Sequence, residues 1–127
     1  MEDRYLFRAK RKDNGEWTEC FLLKRWDGLW IFTIDEKFAD LIIQSTLCQC
    51  TGRKDKNGKL IYENDIMVAY YDEENPEHGT YVMVVLREYG WVTVENNSDD
   101  LCPLDDFTIN HFYVVGNIFD NPELLEV

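Results

Sequence analysis

The chain has 127 residues, 45% hydrophobic and 14% aromatic, which is enough apolar material for one core and excludes both wholesale disorder and two independent large domains. Its formal net charge of −12 is unevenly spread: residues 1–60 hold 12 Lys and Arg against 10 acids, whereas residues 61–127 hold Arg87 alone against 15 acids. So negative a surface repels nucleic acid and anionic membrane, and direct nucleic-acid binding is not expected, although Arg8, Lys10, Arg11 and Lys12 with Arg53, Lys54, Lys56 and Lys59 could form a local basic face.

The opening Met1-Glu2-Asp3-Arg4 mixes acid and base, and no run reaches the ~18 apolar residues of a membrane span. A soluble protein of the cytoplasm is expected, with no membrane role. From Arg4 to Lys12, Tyr5, Phe7 and Ala9 alternate with Arg4, Arg8 and Lys10, broken only by Leu6, which predicts a half-buried strand. Asp13-Asn14-Gly15 predicts a tight turn, and Trp17 to Lys24 the returning antiparallel strand. Trp26-Asp27-Gly28 marks a second turn before the β-rich run Leu29 to Ile34. Residues 35–40 read as a loop or a helical turn, and 41–50 as a strand, with a short helix over part of 36–46 as the alternative.

Asp55-Lys56-Asn57-Gly58 is the strongest short-range hairpin signal, because Asn and Gly accept the backbone angles that tight turns require. It leads into a strand from Ile66 to Tyr71 with Ile66, Val68 and Tyr70 on one face. A charged loop, 72–79, precedes a hairpin of 80–88 and 91–95, whose Val82, Val84 and Leu86 share a face. Residues 96–106 read as an acidic loop with room for a helical turn, and His111 to Phe119 as a last strand with a bulge or close backbone approach at Gly116. In Asn121-Pro122-Glu123-Leu124-Leu125, Asn can cap a short helix, Pro suits its first position and Glu meets the positive end of the dipole. Many short strands with turns every 8–12 residues predict an all-β fold, a small antiparallel barrel or pseudobarrel with a short helix. The chain reads as one domain over 1–127, with an N-terminal β part (1–50), a hairpin (51–66) and an acidic β part (67–127).

Candidate chemistry is sparse. Cys48 and Cys50, two apart on a strand, point to one face and read as small apolar side chains, since C-x-C without a second half is a poor zinc signature. Cys20 and Cys102 complete the thiols, which a reducing cytosol keeps free. Asp55, Asn57, Gly58 and Glu63 superficially suggest a calcium loop, but with Gly58 in its required place the first ligand becomes Arg53 and the closing acid Asn64. His78 and His111 have no nucleophile in view, and a paired-carboxylate mechanism drawn from Glu63 and Asp65 competes with a turn-fixing role. Asp65 is placed to accept backbone N–H groups of the Tyr62–Asn64 turn. No catalytic residue, metal or cofactor is assigned.

Thr51-Gly52-Arg53-Lys54-Asp55-Lys56-Asn57-Gly58-Lys59-Leu60-Ile61-Tyr62-Glu63-Asn64-Asp65-Ile66 resembles the T-G-x-K-D-x-x-G-x-x-I-Y-E-x-D-I motif of the YopX family of phage and prophage proteins. Phe7 to Trp17 resembles that family's N-terminal hairpin, and Val114-Val115-Gly116-Asn117 through Asn121-Pro122-Glu123-Leu124-Leu125 its C-terminal strand and helix. Asn64 stands where glycine is usual, Arg53 where leucine is common, and Cys48 and Cys50 where glycine and an aromatic often stand. The resemblance implies an all-β pseudobarrel fold and an origin in a phage or prophage, and no catalytic residues.

A non-catalytic interaction module is therefore expected, binding a protein partner or itself through opposite charges, with Tyr71, Tyr89 and Trp91 as candidate anchors. The alternatives are an acidic mimic of nucleic acid, using Asp99, Asp100, Asp105 and Asp106, and a β-barrel pocket for a small ligand or nucleotide, using Arg53 and Lys54.

Overall fold

The structure, a computed structural model, describes residues 6–24, 30–32, 42–70, 79–88, 90–95 and 101–125. The predicted turn at 26–28 and loop at 35–40 lie outside them, as does most of 72–79. The chain divides into two compact units, Met1–Gly52 and Arg53–Val127, so that the division falls inside the central motif.

In the first unit, β1 (Leu6–Arg11), β2 (Trp17–Lys24), β3 (Trp30–Phe32) and most of β4 (Ile42–Lys54) lie in the order β3-β2-β1-β4, a sheet curled as a half-barrel. The β1–β2 turn forms where Asn14 and Gly15 predict it. Gly15 has φ +69°, Arg11 N donates to Glu16 O at 2.9 Å, and the Asn14 side chain accepts Glu16 N at 2.9 Å. The expected buried face of β1 is corrected: Leu6 and Ala9 are buried and Phe7 is only half-buried, while Tyr5 lies outside the described residues. The cause is the β1–β4 register, in which Arg8 pairs with Cys48 but Lys10 with Ile43, so residues 44–47 oppose the single residue Ala9. The Thr46 hydroxyl fills the broken ladder, accepting Lys10 N at 2.8 Å and donating to Ile43 O at 2.6 Å. Residues 42–46 are strand rather than helix. Cys48 and Cys50 are fully buried, in keeping with their apolar reading.

In the second unit the end of β4 turns at 55–59 into β5 (Leu60–Tyr62), its sheet neighbour. A second five-stranded sheet has the order β10-β6-β7-β8-β9, built from β6 (Asp65–Tyr70), β7 (Gly79–Arg87), β8 (Gly90–Glu95), β9 (Leu101–Pro103) and β10 (Tyr113–Asn117). Interior β6, between β10 and β7, does not alternate: Ile66, Met67 and Val68 are all fully buried, as suits a strand covered on both faces. Met67 packs with Ile61, Val82, Val84, Leu104 and Val114, and Trp91, Ile109 and Phe112 close over that cluster. Each such side chain contributes about 1.5–3 kcal/mol through burial. Leu86, expected beside Val82 and Val84, is instead 45% exposed, because it sits one pair from the Arg87–Gly90 end of the β7–β8 ladder, past the cluster.

The acidic loop and last strand are also corrected. Leu101–Pro103 is an edge strand on β8, where proline costs no ladder bond, and Asp106–His111 is a helix, α1. Six residues are too few for a helical period to show in sequence. Local capping starts the helix instead: Asp105 accepts Thr108 N at 3.0 Å, and Asp106 adds an acid to the first turn. β10 therefore begins at Tyr113 rather than His111. Ten strands and one short α-helix among the described residues bear out the all-β reading.

The irregularity expected at Gly116 is present, as a register shift against β6 between Val114 and Gly116. A Cβ there would lie 2.3 Å from Asn121 Oδ1 and 3.0 Å from Asn121 Cβ. Asn121 does not cap the last helical turn with its side chain, which reaches back to Asn117 N at 3.3 Å. Its backbone carbonyl takes Leu124 N at 3.1 Å, at the head of the 3-10 turn Pro122–Leu125. Gly116→Ala is therefore expected to push Asn121 away and cost about 1–3 kcal/mol by overpacking, read as a lower urea midpoint. The penalty should shrink when Asn121 is also alanine; a full, additive penalty in the double variant would contradict this contact.

Candidate functional site

The central motif is built around two buried carboxylates. Asp55, 6% exposed, accepts Asn57 N and Lys59 N through Oδ1 at 2.9 Å each, and Val114 N through Oδ2 at 2.8 Å. One side chain thus closes its own hairpin and ties it to β10, 59 residues away. Gly58, at φ +83°, gives the turn its left-handed residue, and Gly58 N donates to Asp55 O at 2.9 Å. Asp65 is fully buried and accepts Tyr62 N at 2.8 Å, the turn bond expected from its position. Between them Asn64 takes φ +68°, a conformation asparagine tolerates where glycine is usual. Its N donates to Val84 O at 2.8 Å and its carbonyl accepts Ile118 N at 3.0 Å.

Thr51, Ile61, Tyr62 and Ile66 are buried, Glu63 is half-buried, and Gly52 and Lys54 are exposed, Gly52 with φ +81°. The Asn117 side chain is buried and accepts Phe119 N at 3.0 Å and Asp120 N at 2.9 Å, while Pro122 is exposed. The lone pairs of Asp55 are aimed at backbone N–H groups, which suits holding turns together better than proton transfer or cation binding. Among the described residues no group of three or more His, Cys, Asp or Glu is arranged to hold a metal.

Five of the residues expected in a basic face, Arg8, Lys10, Arg11, Arg53 and Lys56, have local partners. In the first unit Arg8 and Lys10 lie over the Trp17 ring at 4.6 and 5.4 Å, and Arg11 pairs with Asp13 at 2.7 Å. That hydrogen bond raises the Arg11 pKa and holds the Asp13 carboxylate below its usual value. In the second unit Arg53 pairs with Asp106 and Lys56 Nζ lies 4.9 Å from the Tyr113 ring centre, while Lys54 and Lys59 are exposed. Of the expected anchors, Trp91 is half-buried against the core, and Tyr71 and Tyr89 lie outside the described residues, as does His78.

The second unit also holds a pocket of about 570 Å3 between its sheet and α1. Its wall is mostly apolar. Glu95 reaches it from the end of β8 and Asp105 from the cap of α1. The Thr108 hydroxyl, 3.2 Å from Pro103 O, fastens α1 to the edge strand. The His111 ring stacks on Phe107 at 4.1 Å, and its Nδ1 is 2.7 Å from Phe107 O, so Nδ1 carries the donated hydrogen. Phe107 itself is 66% exposed. Hydrogen bonding to Thr108 lowers the Asp105 pKa, so this carboxylate stays ionised at neutral pH. Phe107 is not among the sequence candidates because the acidic loop expected over 96–106 and the strand expected from His111 leave 107–110 without an element. Asp105-Asp106 ahead of an apolar residue was the available sign of a capped helix start.

A family model described as YopX protein matches residues 6–126. The chain is similar in fold to the crystal structure of protein EF1440 from Enterococcus faecalis, with 23% identity and a TM-score of 0.59 over 94% of this chain and 96% of that one. No curated protein matches the sequence. Among the described residues no helix is long and apolar enough to cross a membrane.

Proposed function

The chain belongs to the YopX family, and on that premise we propose that it is a phage- or prophage-encoded, non-catalytic interaction module that binds a protein partner, or a second copy of itself, in the cytoplasm of a bacterial host. The observation that carries this reading is Phe107, a large aromatic side chain 66% exposed at an apolar pocket. Aromatic residues of this kind anchor interfaces, and a solvated phenylalanine on a short capped helix gains most when a partner covers it. The motif acids support the same reading, since Asp55 and Asp65 serve the backbone.

The alternatives fit less well. Of the four acids proposed to mimic phosphates, Asp105 caps α1 and Asp106 pairs with Arg53, while Asp99 and Asp100 lie outside the described residues. A nucleotide would meet Glu95 and Asp105 in the pocket, and neither Arg53 nor Lys54 lines it.

A photo-reactive phenylalanine analogue at position 107, in the full chain expressed in bacteria carrying the element, tests the proposal. A discrete protein adduct is expected at 107, and none with the same analogue at the exposed Lys12. No adduct above background, or equal adducts at both positions, would overturn it.

A further inference from the structure

The pocket beneath α1 is charged in one sense. Glu95 and Asp105 line it together with apolar Ala69, Val82 and Phe112, and among the described residues no lysine or arginine does. The Glu95 carboxylate is exposed and has neither a hydrogen bond nor an ion pair among the described residues. One face of the Phe107 ring is stacked on His111, and the ring remains largely exposed. The volume, about 570 Å3, exceeds a single side chain and falls within the roughly 300–1,000 Å3 typical of ligand pockets.

We propose that this pocket receives an arginine-bearing peptide segment of a protein partner. The aliphatic stem of the arginine would lie on the apolar wall, its guanidinium would meet Glu95 and Asp105, and a neighbouring apolar residue would cover Phe107. Three features select this occupant. Two carboxylates in one lining, with no Lys or Arg among its described residues, favour a cation. An apolar wall leading to charged groups matches a side chain with an apolar stem and a charged head. Carboxylate partners favour guanidinium over ammonium, because the planar group binds a carboxylate through two N–H donors at fixed geometry. A peptide, rather than a free amine, accounts for a Phe107 that needs covering beyond the pocket. The proposal rests on the interaction reading and gives it a specificity.

The test is an NMR titration of the whole 127-residue chain with acetyl-Ala-Leu-Arg-Leu-Ala-amide and with its neutral counterpart, citrulline replacing arginine. The arginine peptide is expected to shift the Thr93, Glu95, Phe107 and His111 amides saturably and to bind roughly fivefold or more tightly than the citrulline peptide, the size of one partly exposed ion pair. Glu95→Gln and Asp105→Asn should each remove about that preference, and Asn keeps the helix cap intact. Phe107→Ser should weaken both peptides. Equal affinities for the two peptides, shifts elsewhere on the chain, or no binding at millimolar concentration would overturn the proposal. If equal affinities accompany an adduct at position 107, the cation specificity falls and the interaction reading stands. If arginine is preferred but no adduct forms, the reverse holds.

Discussion

Asp55→Ala is expected to lower the unfolding free energy by about 3–5 kcal/mol. The substitution removes an acceptor for three backbone N–H groups at once. Asn57 and Lys59 are exposed, so water can replace their partner, and their share is small. Val114 is buried within β10 and part of the core cluster, and its N–H would be left with nothing to donate to. Most of the loss therefore comes from that one group, together with the untethering of the 55–59 hairpin. Asp55→Asn keeps one acceptor oxygen and should lose distinctly less. Urea denaturation reads both, and an unchanged midpoint for the alanine variant would show that Val114 has another acceptor.

Asp65→Ala is expected to cost about 2–4 kcal/mol. Its carboxylate is fully buried and holds Tyr62 N across a turn whose Asn64 already occupies left-handed backbone space. Without it, the Tyr62–Asp65 turn loses its internal bond, and a cavity opens beside β5 and β6. Thermal melting gives the size of the loss. Below its lowered melting temperature the variant should still bind the arginine peptide with affinity within twofold of the parent, because Asp65 does not line the pocket. A variant of unchanged stability that lost binding would make Asp65 a functional residue instead.

These two acids show what the sequence could and could not disclose. Asp65 was legible because its partner is three residues away, and turn chemistry depends on neighbours. Gly15, Gly58 and Gly116 were legible for the same reason: each sits where backbone angles or close approach exclude a side chain. Half of Asp55's role was not, since nothing about Val114, 59 residues on, marks it as a donor awaiting a carboxylate. The buried face of β1 failed because Thr46, on another strand, breaks the ladder opposite Ala9. β6 does not alternate because burial of both its faces depends on its interior place, between β10 and β7.

The pocket was the least legible feature. It depends on a helix too short to have a period and on an edge strand that contains proline. Trp91, expected as an exposed anchor, packs on the core, whereas Phe107, for which the sequence carries no expectation, is exposed. Residue type alone cannot decide which aromatic faces solvent. That is fixed by where Asp105 starts the helix and by which face of β8 the cluster covers.

The motif acids hold backbone together: Asp55 joins its own hairpin to β10, and Asp65 closes the turn before β6. Amide hydrogen exchange at Val114 tests this most directly. In the native chain the Val114 amide should exchange about as slowly as the core of β6, and in Asp55→Ala it should lose protection selectively, under conditions where β6 amides stay protected. Rapid exchange at Val114 in the native chain, or unchanged protection in the variant, would show that Asp55 does not hold this strand.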